Sequence, residues 1–206
     1  MNKRLGRVFA TRADEDEDDD ELVTKPFQVF SQSVTVTQYE IYLSNVVVEP
    51  SAYDSLCALL RSLAPHDSVT LFINSPGGNL ASGMAIIQAM AESDATITTV
   101  LHPRGYSMGA LIFLAGDVKV VPPNCQLMLH HYSSALHGKG NEQVAEVNAS
   151  VAWYASIVRD LCAGFLSEEE LNAMLQGKDF WMQSEEIAQR LEVMAAEEAD
   201  AAAIDG

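Results

Sequence analysis

The chain has 206 residues, 48% of them apolar and 20% charged, which is enough for one well-buried domain and too few for a second of full size. Its 12 basic and 29 acidic residues give a net charge of −17, much of it concentrated in the run Asp14–Glu21. An acidic surface argues against a nucleic-acid backbone or an anionic membrane as partner, and no stretch nears the ~18 apolar residues that a membrane span needs.

Residues 1–26 read as a disordered acidic arm, because consecutive like charges repel and add nothing to a core. The arm starts basic but turns acidic without an apolar stretch, which fits neither a secretory signal nor a mitochondrial transit peptide. A single domain is expected over 27–194. Val34 and Val36, then Ile41–Val48, read as strands. After Pro50 and a Ser51 cap, residues 51–64 place Leu56, Leu59, Leu60 and Leu63 on one helical face. Val69–Asn74 is an apolar strand, Leu80–Glu92 a helix, Thr96–Leu101 a strand and Met108–Ala115 a short apolar helix. Val118–Val121 and Gln126–Leu129 read as further strands. Apolar strands alternating with helices predict an α/β domain around a largely parallel sheet.

Residues 141–163 form a longer helix with Val144, Val147, Val151, Tyr154, Val158 and Leu161 along a narrow seam. Such a seam suits packing on its own domain and a helix of another subunit equally well. The segment 195–206 is an acidic, alanine-rich tail that either extends the last helix or frays. Cys57, Cys125 and Cys162 are scattered in apolar contexts without metal-ligand spacing. They read as reduced, buried thiols of a cytoplasmic protein.

Two glycine-rich turns carry the chemistry. Asn74-Ser75-Pro76-Gly77-Gly78 links a strand to a helix, where glycines let backbone N–H groups approach a ligand; a tight turn needing glycine for geometry alone reads equally well. Gly105-Tyr106-Ser107-Met108-Gly109 fits the G-x-S-x-G pattern, which exposes a serine on a sharp strand-to-helix turn and frees the following N–H for an oxyanion. A serine hydroxyl needs a base. His66, His102 and His137 lie in loops or turns, whereas His130 and His131 end a strand, and pleating sends only one of that pair to a given side. Only Asp117 lies between Ser107 and His130, too near the serine to complete an α/β-hydrolase order, so a downstream acid fits better. Asp179, in Lys178-Asp179-Phe180-Trp181-Met182, is one such acid. On the residues alone the simpler reading is a surface acid before a helix.

The stretches FINSPGGNLASGMAIIQAM, GYSMGALIFLAG, PPNCQLMLHH and GKDFWMQSEE, in this order and spacing, resemble the proteolytic subunit of the Clp protease, a serine peptidase family. The similarity runs from Tyr39 to Val193. The resemblance implies Ser107 as nucleophile, His130 rather than His131 as general base, Asp179 as its orienting acid, and the N–H groups of Gly78 and Met108 as oxyanion hole. It implies a crotonase-like α/β spiral of ββα units, with the helix at 141–163 as a protruding handle. It also implies peptide or unfolded-protein substrates, no metal or organic cofactor, and a homo-oligomer of stacked seven-membered rings fed by an AAA+ unfoldase.

The chain departs from the family where Arg104-Gly105-Tyr106 replaces the usual Gln-Ala-Ala before the nucleophile, and where QRLEV lacks the glycine after the last helix. The acidic arm does not look like the family's axial loop, which speaks against docking to the unfoldase. A divergent, phage-type member working without one fits these changes. The rival readings are a catalytically idle ring subunit and a crotonase-type acyl-CoA enzyme. The first has to explain an intact Ser, His and Asp; the second, why they occur in register.

Overall fold

The computed structural model of the protein describes residues 28–31 and 33–204, so the expected arm at 1–26 lies outside the described residues. The described residues before Thr37 form neither helix nor strand, and the strand expected around Val34 and Val36 is not there. The physical reason is a missing partner. The Thr37 N–H donates to the Asp67 carboxylate at 2.8 Å, and its carbonyl accepts from Ser68 at 3.0 Å. The neighbouring strand begins at Ser68, so the ladder has nothing to pair with earlier. Bonds from the N–H groups of Ala64 and Thr37 hold the Asp67 carboxyl below the usual carboxylate range.

From Thr37 onward a six-stranded sheet organises the chain. β1 (Gln38–Leu43), β2 (Ser68–Ser75) and β3 (Thr96–Tyr106) pair in parallel, with Gln38 opposite Ser68 and Ser68 opposite Thr96. β3 is longer than the expected Thr96–Leu101 because it changes partners along its length. Thr98–Val100 pairs with β4 (Val118–Val120), and Arg104–Tyr106 pairs with β5 (Gln126–Leu129). Against β2 its register shifts, since Ile73 faces Leu101 but Ser75 faces Gly105. β6 (Phe180–Gln183) closes the sheet antiparallel to β5. The parallel core confirms the expected α/β class.

Alternation along β2 buries Val69, Leu71, Ile73 and Ser75 on one face, and Ile97, Thr99 and Leu101 of β3 continue it. The helices cover this face. A 3-10 turn at Pro50–Tyr53 leads into α1 (Asp54–Arg61), which buries Cys57 and Leu60; no side chain caps either, so Ser51 is not the cap expected. α2 (Leu80–Ala91) is capped by Asn79, whose side chain accepts from the Ser82 N–H at 3.0 Å. Every residue of α3 (Met108–Leu114) is buried.

α4 (Gly140–Leu161) divides along its length. Tyr154, Ile157 and Val158 are buried in the core, whereas Val144, Val147 and Val151 are 61%, 39% and 39% exposed. The seam thus packs on its own domain only over its C-terminal half. α5 (Glu168–Leu175) starts with a reciprocal capping box between Ser167 and Glu170, and α6 (Ser184–Ile204) extends into the expected tail as far as Ile204. Among the described residues no helix is long and apolar enough to cross a membrane.

Candidate active site

Ser107 is where β3 becomes α3, and it takes φ 53° and ψ −121°, a conformation that costs a non-glycine residue about 1–3 kcal/mol. Hydrogen bonds on both sides hold it there. Its N–H donates to the Met128 carbonyl of β5 at 2.8 Å, and its own carbonyl accepts from Ala110 and Leu111 at 3.0 and 3.2 Å. The buried helix behind it supplies the packing that keeps the turn sharp.

The second wall is the Gly77–Gly78 turn after β2. Gly77 adopts φ +93°, and a Cβ there would lie 2.7 Å from that of Ser107. At Gly78, φ is +143° and a Cβ would come within 2.2 Å of the Val47 carbonyl oxygen. No side chain fits either place. Val47 bridges this turn, donating to the Gly77 carbonyl at 2.8 Å and accepting from the Asn79 N–H at 2.7 Å. In such a parallel bridge the intervening residue directs its own N–H away from the partner, and among the described residues the Gly78 N–H has no backbone acceptor. The Met108 N–H, at the start of α3, has none either. Side chains lock the arrangement: Ser75 Oγ donates to the Asn45 carbonyl at 2.7 Å and Ser82 Oγ to the Val48 carbonyl at 2.6 Å.

Ser107, Met108, Gly78 and His130 line one cleft of about 550 Å³. His130 follows directly on β5 and is half-buried; of the five histidines it alone lines this cleft. His131 turns instead into an aromatic cluster, its ring 4.8 Å from that of Tyr132 and 5.4 Å from that of Tyr154. Asp117, between serine and histidine in sequence, is engaged elsewhere, accepting from the Ile97 N–H at 2.7 Å. Asp179 is exposed and does not line the cleft. It does precede β6, whose pairing with β5 ends at Leu129 opposite Phe180, so His130 and Asp179 are the residues just beyond that last pair. Among the described residues no hydrogen bond joins Ser107 to His130, or His130 to Asp179.

Two contributions escaped the sequence reading. The Tyr154 hydroxyl donates to the His130 carbonyl at 2.5 Å and so fixes the backbone that carries the imidazole. Burial pushes the phenol well above its usual pKa, so it stays a donor. A tyrosine within an aliphatic seam was the one available hint. Beside it, Glu146, Ser150 and Trp153 of α4 line the cleft opposite Leu80 and Leu111. Their helical spacing was legible, but not the wall that they face.

Comparison with known proteins gives two kinds of match. The family model described as Clp protease matches residues 28–191. The chain is 33% identical over 115 residues to the chloroplastic ATP-dependent Clp protease proteolytic subunit 3 of Arabidopsis thaliana, covering 53% of this chain and 37% of that protein. It is also 33% identical over 107 residues to the ATP-dependent Clp protease proteolytic subunit of Deinococcus radiodurans, covering 50% and 52%. The matched region thus spans about half or less of the length of these curated relatives.

Proposed function

Since this chain belongs to the Clp protease family, whose model matches most of its length, we propose that it is a serine endopeptidase working through an acyl-enzyme. One observation carries the reading: Ser107, held in a strained strand-to-helix turn, shares a cleft with His130, Gly78 and Met108.

In this reading Ser107 Oγ attacks the scissile carbonyl carbon while His130 accepts its proton. The carbonyl π electrons move onto oxygen, and the N–H groups of Gly78 and Met108 hold the resulting oxyanion. Each such donor is worth about 3–4 kcal/mol of transition-state stabilisation. Collapse breaks the C–N bond, and His130 returns the proton to the leaving amine. Water repeats the sequence on the ester and frees Ser107. Asp179 orients the imidazole and stabilises its protonated form. No step calls on a metal or organic cofactor. The hydrogen bonds of the relay form as substrate seats, as catalytic contacts commonly tighten only in the Michaelis complex.

The exposed valines of α4 support the assembly half of the proposal, in which subunits form stacked seven-membered rings around a chamber for peptides or unfolded chains. The reading needs no unfoldase. The three cysteines are free and buried, which suits a reducing compartment such as the cytoplasm.

Labelling by a fluorophosphonate, run beside turnover of a fluorogenic peptide, tests the reading. Wild-type protein is expected to label and to cleave, and Ser107→Ala to do neither while keeping its circular dichroism spectrum. Equal labelling of both proteins overturns the nucleophile assignment. An assembled wild type that neither labels nor cleaves is the idle scaffold subunit.

A further inference from the structure

The cleft beside Ser107 is lined about equally by polar and apolar surface, and Leu80, Leu111, Met128, Leu136 and Trp153 are among the residues of its apolar part. Among the described residues, the one lining side chain besides His130 that carries an acid or base other than a phenol is Glu146, which is exposed. Glu146 lies on α4 one turn before Ser150 and two turns before Trp153 and Tyr154, so all four share the helical face turned to the cleft. Among the described residues no lysine, arginine or histidine is paired with it. A carboxylate without a partner, at the edge of an apolar wall, is complementary to a side chain with an aliphatic stem and a cationic end.

We propose that Glu146 is a specificity-determining residue that favours substrates presenting lysine or arginine to this cleft next to the scissile bond. The methylene stem lies along the apolar wall and the ammonium or guanidinium meets the carboxylate. Leucine or norleucine gains the same apolar contact without the ion pair, whereas a glutamate side chain is repelled. The selection extends to unfolded chains: the protein is acidic as a whole, so basic segments are also the ones its field draws in. This inference rests on the peptidase reading above.

The test uses fluorogenic peptides identical except for lysine, norleucine or glutamate at the residue on either side of the scissile bond, since norleucine has lysine's stem without its charge. Wild-type protein is expected to show a kcat/KM about fivefold higher for lysine than for norleucine, the scale of a partly exposed ion pair. The ratio falls to about one in Glu146→Gln, and Glu146→Lys shifts the preference to glutamate, as the loss and reversal of one ion pair require. Raising the salt from about 0.05 to about 0.5 M weakens the wild-type ratio by screening, which a merely structural role for Glu146 does not predict. Cleavage of neither peptide by wild type overturns the peptidase reading and this one with it. Cleavage of both at equal rates, or a lysine preference that survives in Glu146→Gln, overturns the role of Glu146 alone.

Discussion

His130 and Asp179 are the residues just beyond the last pair of one ladder, in which β5 and β6 run antiparallel and end with Leu129 opposite Phe180. One further step of that pairing would bring their Cβ atoms to about 4.5–5.5 Å, within reach of a shared hydrogen bond. Asp179→Asn keeps the shape but lets the imidazole settle in the wrong tautomer. The variant is expected to lose kcat by about 10³–10⁴ with little change in KM. Steady-state kinetics on a fluorogenic peptide checks this, and a loss below about tenfold would remove Asp179 from the proposed relay.

That ladder also shows where sequence reading stops. The motifs around Ser107 and Gly78 were legible because each needs particular residues within a few positions: glycines for a backbone no side chain permits, and a serine with a glycine two positions to either side. β6 was not legible. Phe180–Gln183 is four residues long, and it is a strand only because β5 pairs with it. Without β6, Asp179 reads as a surface acid before a helix. β3 was cut short for a related reason: His102, Pro103 and Arg104 interrupt the apolar pattern, but from Arg104 onward β5 takes over the pairing from β4. Alternation could say that His130 and His131 point opposite ways. Which one lines the cleft with Ser107 goes with the other ring lying against Tyr132 and against Tyr154 of a distant helix.

Tyr154 joins that helix to the site. Its hydroxyl satisfies the His130 carbonyl, and Tyr154→Phe leaves the oxygen without that donor at a cost of about 1 kcal/mol. The larger effect is on position. An imidazole whose backbone drifts loses alignment with Ser107, so kcat is expected to fall about 10- to 100-fold. Thermal unfolding measured beside kinetics separates the two. A variant that loses stability but keeps full kcat shows that Tyr154 merely packs the core.

The N-terminal half of α4 carries a different prediction. Val144, Val147 and Val151 recur along one side, are 61%, 39% and 39% exposed, and lie outside the hydrophobic core formed by the described residues. If they join the rings, placing carboxylates there buries unpaired charge at the interface. The double variant Val147→Asp, Val151→Asp is expected to lower the particle mass by half or to single subunits, with helix content unchanged. Size-exclusion chromatography with light scattering reads the mass directly. An unaltered mass assigns the assembly surface elsewhere.

Glu170 and Arg190 tie α5 to α6 on either side of the segment that carries Asp179. Arg190 donates to both carboxylate oxygens, at 2.9 and 2.8 Å, and to the Phe165 carbonyl at 3.1 Å. The guanidinium bonds, helped by the Ser167 N–H, hold the Glu170 carboxyl down to about 2, against an ordinary value of 4.5. Between those values the unfolded chain binds the proton and the folded one does not, so the clamp stabilises fully above about 4.5 and loses its effect as pH falls toward about 2. Glu170→Gln cannot titrate. Its stability deficit relative to wild type is therefore expected to be largest near neutrality and to shrink by more than about half by pH ~3. Urea unfolding of both proteins across that range measures the gap. A deficit that stays constant with pH would mean that the pair holds the helices by shape and not by charge, and a loosened α5–α6 junction would then lower peptidase activity equally at every pH.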